Sequence, residues 1–223
     1  MKQIILTTAF VLTASTASAS SFTVMLDTSP LSGVQTLGFA LTNFDSTSNT
    51  VFVTDFGFGG GAVVTGSDDC TLGGTFSGAG CSGDLGAGVT LQDIDPTAAF
   101  FTQQFTPGTS LSFLLTTTNG FLGGVPDQFA MYVCDGTLTT CYSDDATGAM
   151  LLVDLSGGSL STSSFVTFGA GLQGLEGPVV REAIQQVPDV PESGTLLLLG
   201  IGLTAVAAMR RARKSGPNAP SHS

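Results

Sequence analysis

The middle of the chain is a succession of short stretches in which apolar and polar side chains alternate, separated by Gly, Asp, Asn, Ser and Thr. A period of two, with aromatic and β-branched residues at the apolar positions, is the pattern of a β-strand. The stretches begin at Phe22, Leu37, Val51, Phe101, Leu111, Phe129, Leu151 and Phe165. Because no helical pattern lies between them, they predict an all-β domain, an antiparallel β-sandwich of the jelly-roll-like kind.

One of these stretches, 51–58, has apolar side chains on both predicted faces. Phe52, Phe56 and Phe58 fall on one face, and Val51 and Val53 fall on the other. Alternating phenylalanines are interpreted as core residues rather than as a platform for a ligand, because burial of such side chains is what stabilises a sandwich.

The N-terminal end departs from this alternation. Lys2 is followed by an apolar run at 4–12 and by the small residues Ala17, Ser18 and Ala19. This is the three-part pattern of a secretory signal peptide, and the run is too short for a transmembrane helix. We therefore predict a signal peptide at 1–19 and a β-sandwich domain at 20–170.

The C-terminal end is a linker, an apolar run and a basic cluster. Alternation stops near residue 170, so 171–192 is predicted as linker, although residues 179–186 could also form a short helix. The uncharged run at 194–209 would span roughly 24 Å as a helix, a little under the ~30 Å core of a bilayer. The basic residues that follow it are Arg210, Arg211, Arg213 and Lys214. They predict a single transmembrane helix and basic stop at 193–214, rather than a buried core helix, and a cytoplasmic tail at 215–223.

This tail resembles the PEP-CTERM sorting tail of Gram-negative bacteria. The resemblance rests on Val190, Pro191 and Glu192, on the apolar helix and on the basic cluster; Ser193 stands where that family usually has proline. It implies recognition and cleavage by an exosortase-like membrane protease. The protein would then pass through an inner-membrane intermediate to the cell surface or extracellular matrix, where extracellular polysaccharide is a candidate partner. The alternative is a permanently anchored envelope protein.

Charge excludes several classes of function. Between the signal and the tail, Arg181 is the one basic residue, against all 17 acidic residues of the chain. Such a surface repels phosphate backbones, so nucleic acid is not expected as a partner. The single histidine, His222, lies in the last residues of the chain. Histidine-dependent catalysis in the exported domain is therefore excluded.

Four cysteines in an exported chain indicate disulfides. They are Cys70, Cys81, Cys134 and Cys141. Three pairings are possible; we predict Cys70–Cys81 and Cys134–Cys141, because each would close a loop rich in glycine and aspartate. A zinc site is disfavoured, since the spacing contains no Cys-x-x-Cys and no histidine lies nearby.

Carboxylates offer the remaining chemistry. Calcium is a cofactor that the sequence allows but does not require. Its preferred hard oxygen ligands are available at Asp68, Asp69, Asp93, Asp95, Asp144 and Asp145. The alternative is that these are turn residues that accept hydrogen bonds from local amides.

We predict a non-enzymatic surface protein rather than an enzyme. The alternative in another class is a secreted glycan hydrolase that uses two carboxylates. Its candidate residues are Asp27, Asp55, Asp93, Asp95, Asp127 and Asp154.

Overall fold

The computed structural model describes residues 19–44, 48–72, 78–94, 98–118, 125–157, 160–170 and 174–183. Residues 1–18 of the predicted signal peptide, the sorting motif, and the predicted transmembrane helix with its basic stop lie outside this part of the chain. Within it, no helix is long and apolar enough to cross a membrane.

The described residues form twelve β-strands and one short 3₁₀-helix, Thr162–Ser164. The strands are β1 Ala19–Asp27, β2 Gln35–Thr42, β3 Thr50–Gly57, β4 Ala62–Val63, β5 Cys81–Asp84, β6 Gly88–Gln92, β7 Ala98–Thr106, β8 Ser110–Thr118, β9 Asp127–Asp135, β10 Leu151–Leu155, β11 Phe165–Thr167 and β12 Val179–Glu182.

These strands make two six-stranded antiparallel sheets. Sheet A has the order β12-β1-β8-β3-β6-β5, and sheet B has the order β11-β10-β9-β2-β7-β4. The pairs β1–β8, β2–β7 and β3–β6 are nested, so the chain crosses repeatedly from one sheet to the other. The later strands β9 to β12 then extend both sheets.

The alternating pattern of the sequence becomes the inner faces of the two sheets. In β1, Phe22, Val24 and Leu26 are buried, whereas Met25 is 42% exposed. Rings from opposite sheets meet between them, as Phe22 and Phe165 do at 4.6 Å between centroids. The predicted β-sandwich is thus confirmed.

Phe39 of β2 lies at the centre of this core. Its ring is stacked on Phe101 and Phe129 of its own sheet, at 6.2 and 5.9 Å between centroids. Across the core it contacts Phe113 and Phe56 of sheet A, at 5.6 and 6.2 Å. Because one side chain touches rings from both sheets, it fixes how the two sheets pack together.

A β-bulge corrects the prediction for the stretch at 51–58. Val53 is buried and Phe52 is 41% exposed, yet Phe56 packs into the core instead of sharing the outer face with Phe52. The register of β3 against β8 shifts between Thr54 and Gly57, where Asp55 has a φ of 54°. An extra residue in one strand turns every later side chain to the opposite face.

Strand β12 corrects the predicted end of the domain. Val179–Glu182 pairs antiparallel with β1 and lies within the predicted linker. The sandwich therefore continues past residue 170, and this segment is neither a helix nor a free linker. Four residues on an exposed edge bury too little apolar surface to leave a strong period of two in the sequence.

The hairpin of β5 and β6 lies in a glycine-rich stretch that shows little alternation. Gly83 has a φ of 99°, and a Cβ there would come within 2.0 Å of the carbonyl oxygen of Gly88. Asp84 closes the turn, because its Oδ1 accepts hydrogen bonds from the backbone of Gly86 and Ala87, at 2.6 and 2.9 Å. The pairing of β5 with β6 therefore requires glycine at position 83, and the glycine there does not indicate an open loop.

The predicted disulfides, Cys70–Cys81 and Cys134–Cys141, are confirmed. Cys70 follows Asp69, which forms a β-bridge with Thr102 of sheet B, and Cys81 begins β5 of sheet A. The first disulfide thus ties the two sheets together. The second closes the start of the β9–β10 connection, where its two cysteines also form a β-bridge.

Replacing Phe39 with alanine should destabilise the domain strongly. Loss of a fully buried ring leaves a cavity between the sheets, and we expect the free energy of unfolding to fall by about 3–5 kcal/mol. Phe52→Ala is the matched control: its ring is 41% exposed on the outer face, and the expected loss is about 1 kcal/mol or less. Urea denaturation measures the loss of unfolding free energy in each variant. Equal losses in Phe39→Ala and Phe52→Ala would contradict the central position of Phe39.

Candidate functional site

Two Asn–Asp pairs meet at one end of the sandwich. In sheet A, Asn49 precedes β3 and Asp93 follows β6, and the backbone N–H of Asp93 donates to the carbonyl of Asn49 at 3.0 Å. In sheet B, Asn43 and Asp127 extend the register of β2 and β9 by one position. We call these four residues the end cluster. Three are buried: Asn49 and Asp127 are 0% exposed, and Asp93 is 6% exposed.

Asp127 is held by hydrogen bonds within the end cluster. Its Oδ1 accepts from the backbone N–H of Phe44 at 2.8 Å, and its Oδ2 accepts from Nδ2 of Asn49 at 2.7 Å. The bond from Asn49 to Asp127 crosses from sheet A to sheet B. Both oxygens of this buried carboxylate therefore accept a hydrogen bond.

Asp93 is the contrasting member of the end cluster. Both of its carboxylate oxygens are buried, and neither has a hydrogen-bond partner. Burial raises the pKa of Asp93 from 3.8 to about 7, and the nearby negative charge of Asp127 adds to the rise. The neighbouring polar groups of Asn49 and Asn43 offset only part of it. The end cluster therefore holds a buried carboxyl group whose two oxygen atoms accept no hydrogen bond.

The other aspartates predicted as calcium ligands occupy separate loops. Oδ1 of Asp69 accepts from the backbone and hydroxyl of Thr71, and Oδ2 of Asp145 accepts from the backbone and hydroxyl of Thr147. These bonds lower the pKa of Asp145. Their partners in sequence, Asp68 and Asp144, are exposed, and Asp95 lies outside the described residues. Across the described ranges, no three acidic, histidine or cysteine side chains form a group able to hold a metal ion.

Most of the candidate carboxylates for glycan hydrolysis also lie apart from one another. Asp93 and Asp127 come together, but both are buried. Asp27 ends β1, Asp55 is in the bulge of β3, and Asp154 is on the outer face of sheet B, where it accepts from Gln128 at 2.9 Å. Among the candidates that the structure describes, this pair is thus closed to a sugar chain.

A surface groove of about 450 Å³ is the second feature of interest. It runs along the junction of β1 and β12, at the edge of sheet A. Met25 and Val179, which are cross-strand partners, give it an apolar wall. Arg181 and Asp27 give it a cationic and an anionic group, and the backbone N–H of Ser29 donates to Oδ1 of Asp27 at 2.9 Å. The basic residue that the sequence places alone in the domain therefore lines a groove.

The sequence named Asp93 and Asp127 as candidate carboxylates and Arg181 as the one basic residue between the signal and the tail, but it did not predict the end cluster or the groove, because both depend on tertiary structure. Asn43, Asn49 and Asp127 lie at strand ends where polar residues are ordinary, and only the packing of the two sheets brings them to Asp93. Arg181 reaches its groove through the pairing of β12 with β1. The position of each residue next to a strand end was the available signal.

Comparisons of the chain with protein-family models, with curated proteins and with solved structures find no significant match.

The raised pKa of Asp93 predicts an unusual dependence of stability on pH. In buffer that contains a chelator, the Asp93 carboxyl group of the unfolded chain loses its proton near pH 4. In the folded chain the same group keeps its proton to about pH 7. The folded state then binds the extra proton, so the free energy of unfolding should fall as pH rises through this window, by up to about 1.4 kcal/mol per unit. Above about pH 7 the fall should stop.

Urea denaturation at a series of pH values measures this effect. Asp93→Asn should remove the decline, and Asp154→Asn, which changes an exposed carboxylate, should keep it. A decline of the same size in wild type and Asp93→Asn would show that another group is responsible.

Proposed function

We propose that this chain is an exported, non-enzymatic component of the cell surface or extracellular matrix, sorted through a PEP-CTERM-like tail. The observation that carries this proposal is the pair of disulfides within the sandwich. Disulfides of this kind persist in oxidising compartments. They agree with an export signal at one end of the chain and a membrane tail at the other.

The fold supports a binding or structural role. We propose that the nested strand pairing makes this sandwich jelly-roll-like, an architecture that occurs in capsid and lectin domains. Fold by itself does not establish function, so the proposal depends on the surfaces that the fold presents.

The groove beside β12 is the surface that we propose contacts extracellular polysaccharide. Its apolar wall can cover the C–H face of a sugar ring. Arg181 supplies hydrogen-bond donors and Asp27 supplies acceptors, as the few polar groups of a binding groove usually do. Since the domain is strongly acidic, a neutral saccharide fits this groove better than a polyuronate.

Processing of the tail can be tested by mass spectrometry in cells that also make an exosortase-like protease. We expect the exported form to end near Pro191 and Glu192, and Glu192→Ala to keep the full-length chain in the membrane. Ser193→Pro, which restores the usual residue of the family tripeptide, should be processed at least as well as wild type. An exported form with an intact C-terminus at Ser223, or a wild-type chain that stays in the membrane, would contradict sorting; the latter would favour a permanent anchor.

Saccharide binding can be tested with the full-length chain in detergent. Calorimetric titration with neutral oligosaccharides of glucose and galactose should show binding that weakens at least about tenfold in Arg181→Gln, a change of roughly 1.4 kcal/mol. Ser156→Asp, which makes the same change in net charge on an exposed residue directly after β10, should bind as wild type does.

Equal affinity of wild type and Arg181→Gln would remove the groove as the binding surface. If wild type released reducing ends from a glycan and an aspartate-to-asparagine variant did not, the alternative of a glycan hydrolase would be established instead.

A further inference from the structure

The end cluster contains a buried carboxyl group that is paired with no basic side chain of the described residues. Asp93 is 6% exposed, and its two carboxylate oxygens make no hydrogen bond. Asp127, 0% exposed, contributes a second carboxylate. Burial of a carboxylate without a compensating partner is costly, and proteins relieve the cost with a cationic side chain, a proton or a metal ion.

No cationic side chain of the described residues is near enough to act as that partner. Arg181 is the one basic residue among them, and it lies on β12, at one edge of sheet A. Asp93 follows β6, four strands away in the same sheet. With neighbouring strands about 4.8 Å apart, that separation is roughly 19 Å.

The geometry points to a Ca²⁺ site at this end of the sandwich, formed by the carboxylates of Asp93 and Asp127 between the two sheets. The donors are all hard oxygen atoms, which calcium and magnesium prefer and which zinc and copper do not. Calcium is favoured over magnesium because it accepts irregular sets of carboxylate and water ligands, whereas magnesium requires a near-octahedral one.

The place of the cluster gives the ion a structural role. Asp93 follows a strand of sheet A and Asp127 begins a strand of sheet B, and the side-chain hydrogen bond from Asn49 to Asp127 runs between these ends. An ion held by both carboxylates would join the ends of β6 and β9. With two carboxylate ligands, the affinity should be that of extracellular calcium modules, about 10⁻⁴ to 10⁻³ M.

The experiment uses the full-length chain in detergent, freed of metal with EDTA and titrated with CaCl₂. Calorimetry should give one Ca²⁺ per chain, and saturating Ca²⁺ should raise the melting temperature by about 5–10 °C. MgCl₂ at the same concentration should give a smaller rise.

Variants distinguish this site from the aspartates in other loops. Asp93→Asn removes the unpaired charge with little change of shape, so the metal-free protein should melt higher and lose its response to Ca²⁺. Asn43→Asp adds a third carboxylate to the end cluster and should tighten Ca²⁺ binding about tenfold. Asp154→Asn, on the outer face of sheet B, should respond as wild type does.

Either of two results would overturn the site. A wild-type protein with no heat of Ca²⁺ binding and no shift in melting temperature would show that a proton alone neutralises the pair. A full calcium response in Asp93→Asn would place the ion at another group of aspartates.

Discussion

The packing of phenylalanine rings between the two sheets is the interaction on which this structure depends. Phe39 contacts rings on its own sheet and on the opposite one, and the bulge in β3 supplies one of those rings, Phe56. Without the bulge, Phe56 would face solvent beside Phe52. The packing of Phe56 in the core thus explains the irregular backbone at Asp55, which would otherwise only destabilise the strand.

A second constraint comes from charge. A domain with one basic residue cannot pair its carboxylates with cations, so each must be hydrated, bonded to amides or placed beside an ion. Asp69 and Asp145 follow the second course, since each accepts bonds from a threonine in its own turn. Asp93 is buried, and neither of its carboxylate oxygens accepts a bond of this kind, which sets it apart from Asp69 and Asp145.

The end cluster and the groove beside β12 lie at different places in the sandwich. The end cluster joins the strand ends of both sheets, where an ion would add rigidity. The groove lies beside β12, the last described strand, which forms within the stretch predicted as linker. Two disulfides cross-link the domain, which agrees with the proposed role outside the cell.

The sequence by itself determined the all-β class, the strands of the core and the pairing of the cysteines, because burial with a period of two and loop closure are local properties. Leu37, Phe39 and Leu41 show their buried face in their spacing alone. The predicted signal peptide and sorting tail, on which the proposed localisation depends, are likewise predictions from the sequence alone.

Tertiary structure decided the rest. The bulge at Asp55, the pairing of β12 with β1 and the tight hairpin at Gly83 depend on a partner strand that no local pattern specifies. The same holds for the end cluster: Asn43, Asn49, Asp93 and Asp127 are spread over four strand ends, and only the closure of one sheet on the other brings their charges together.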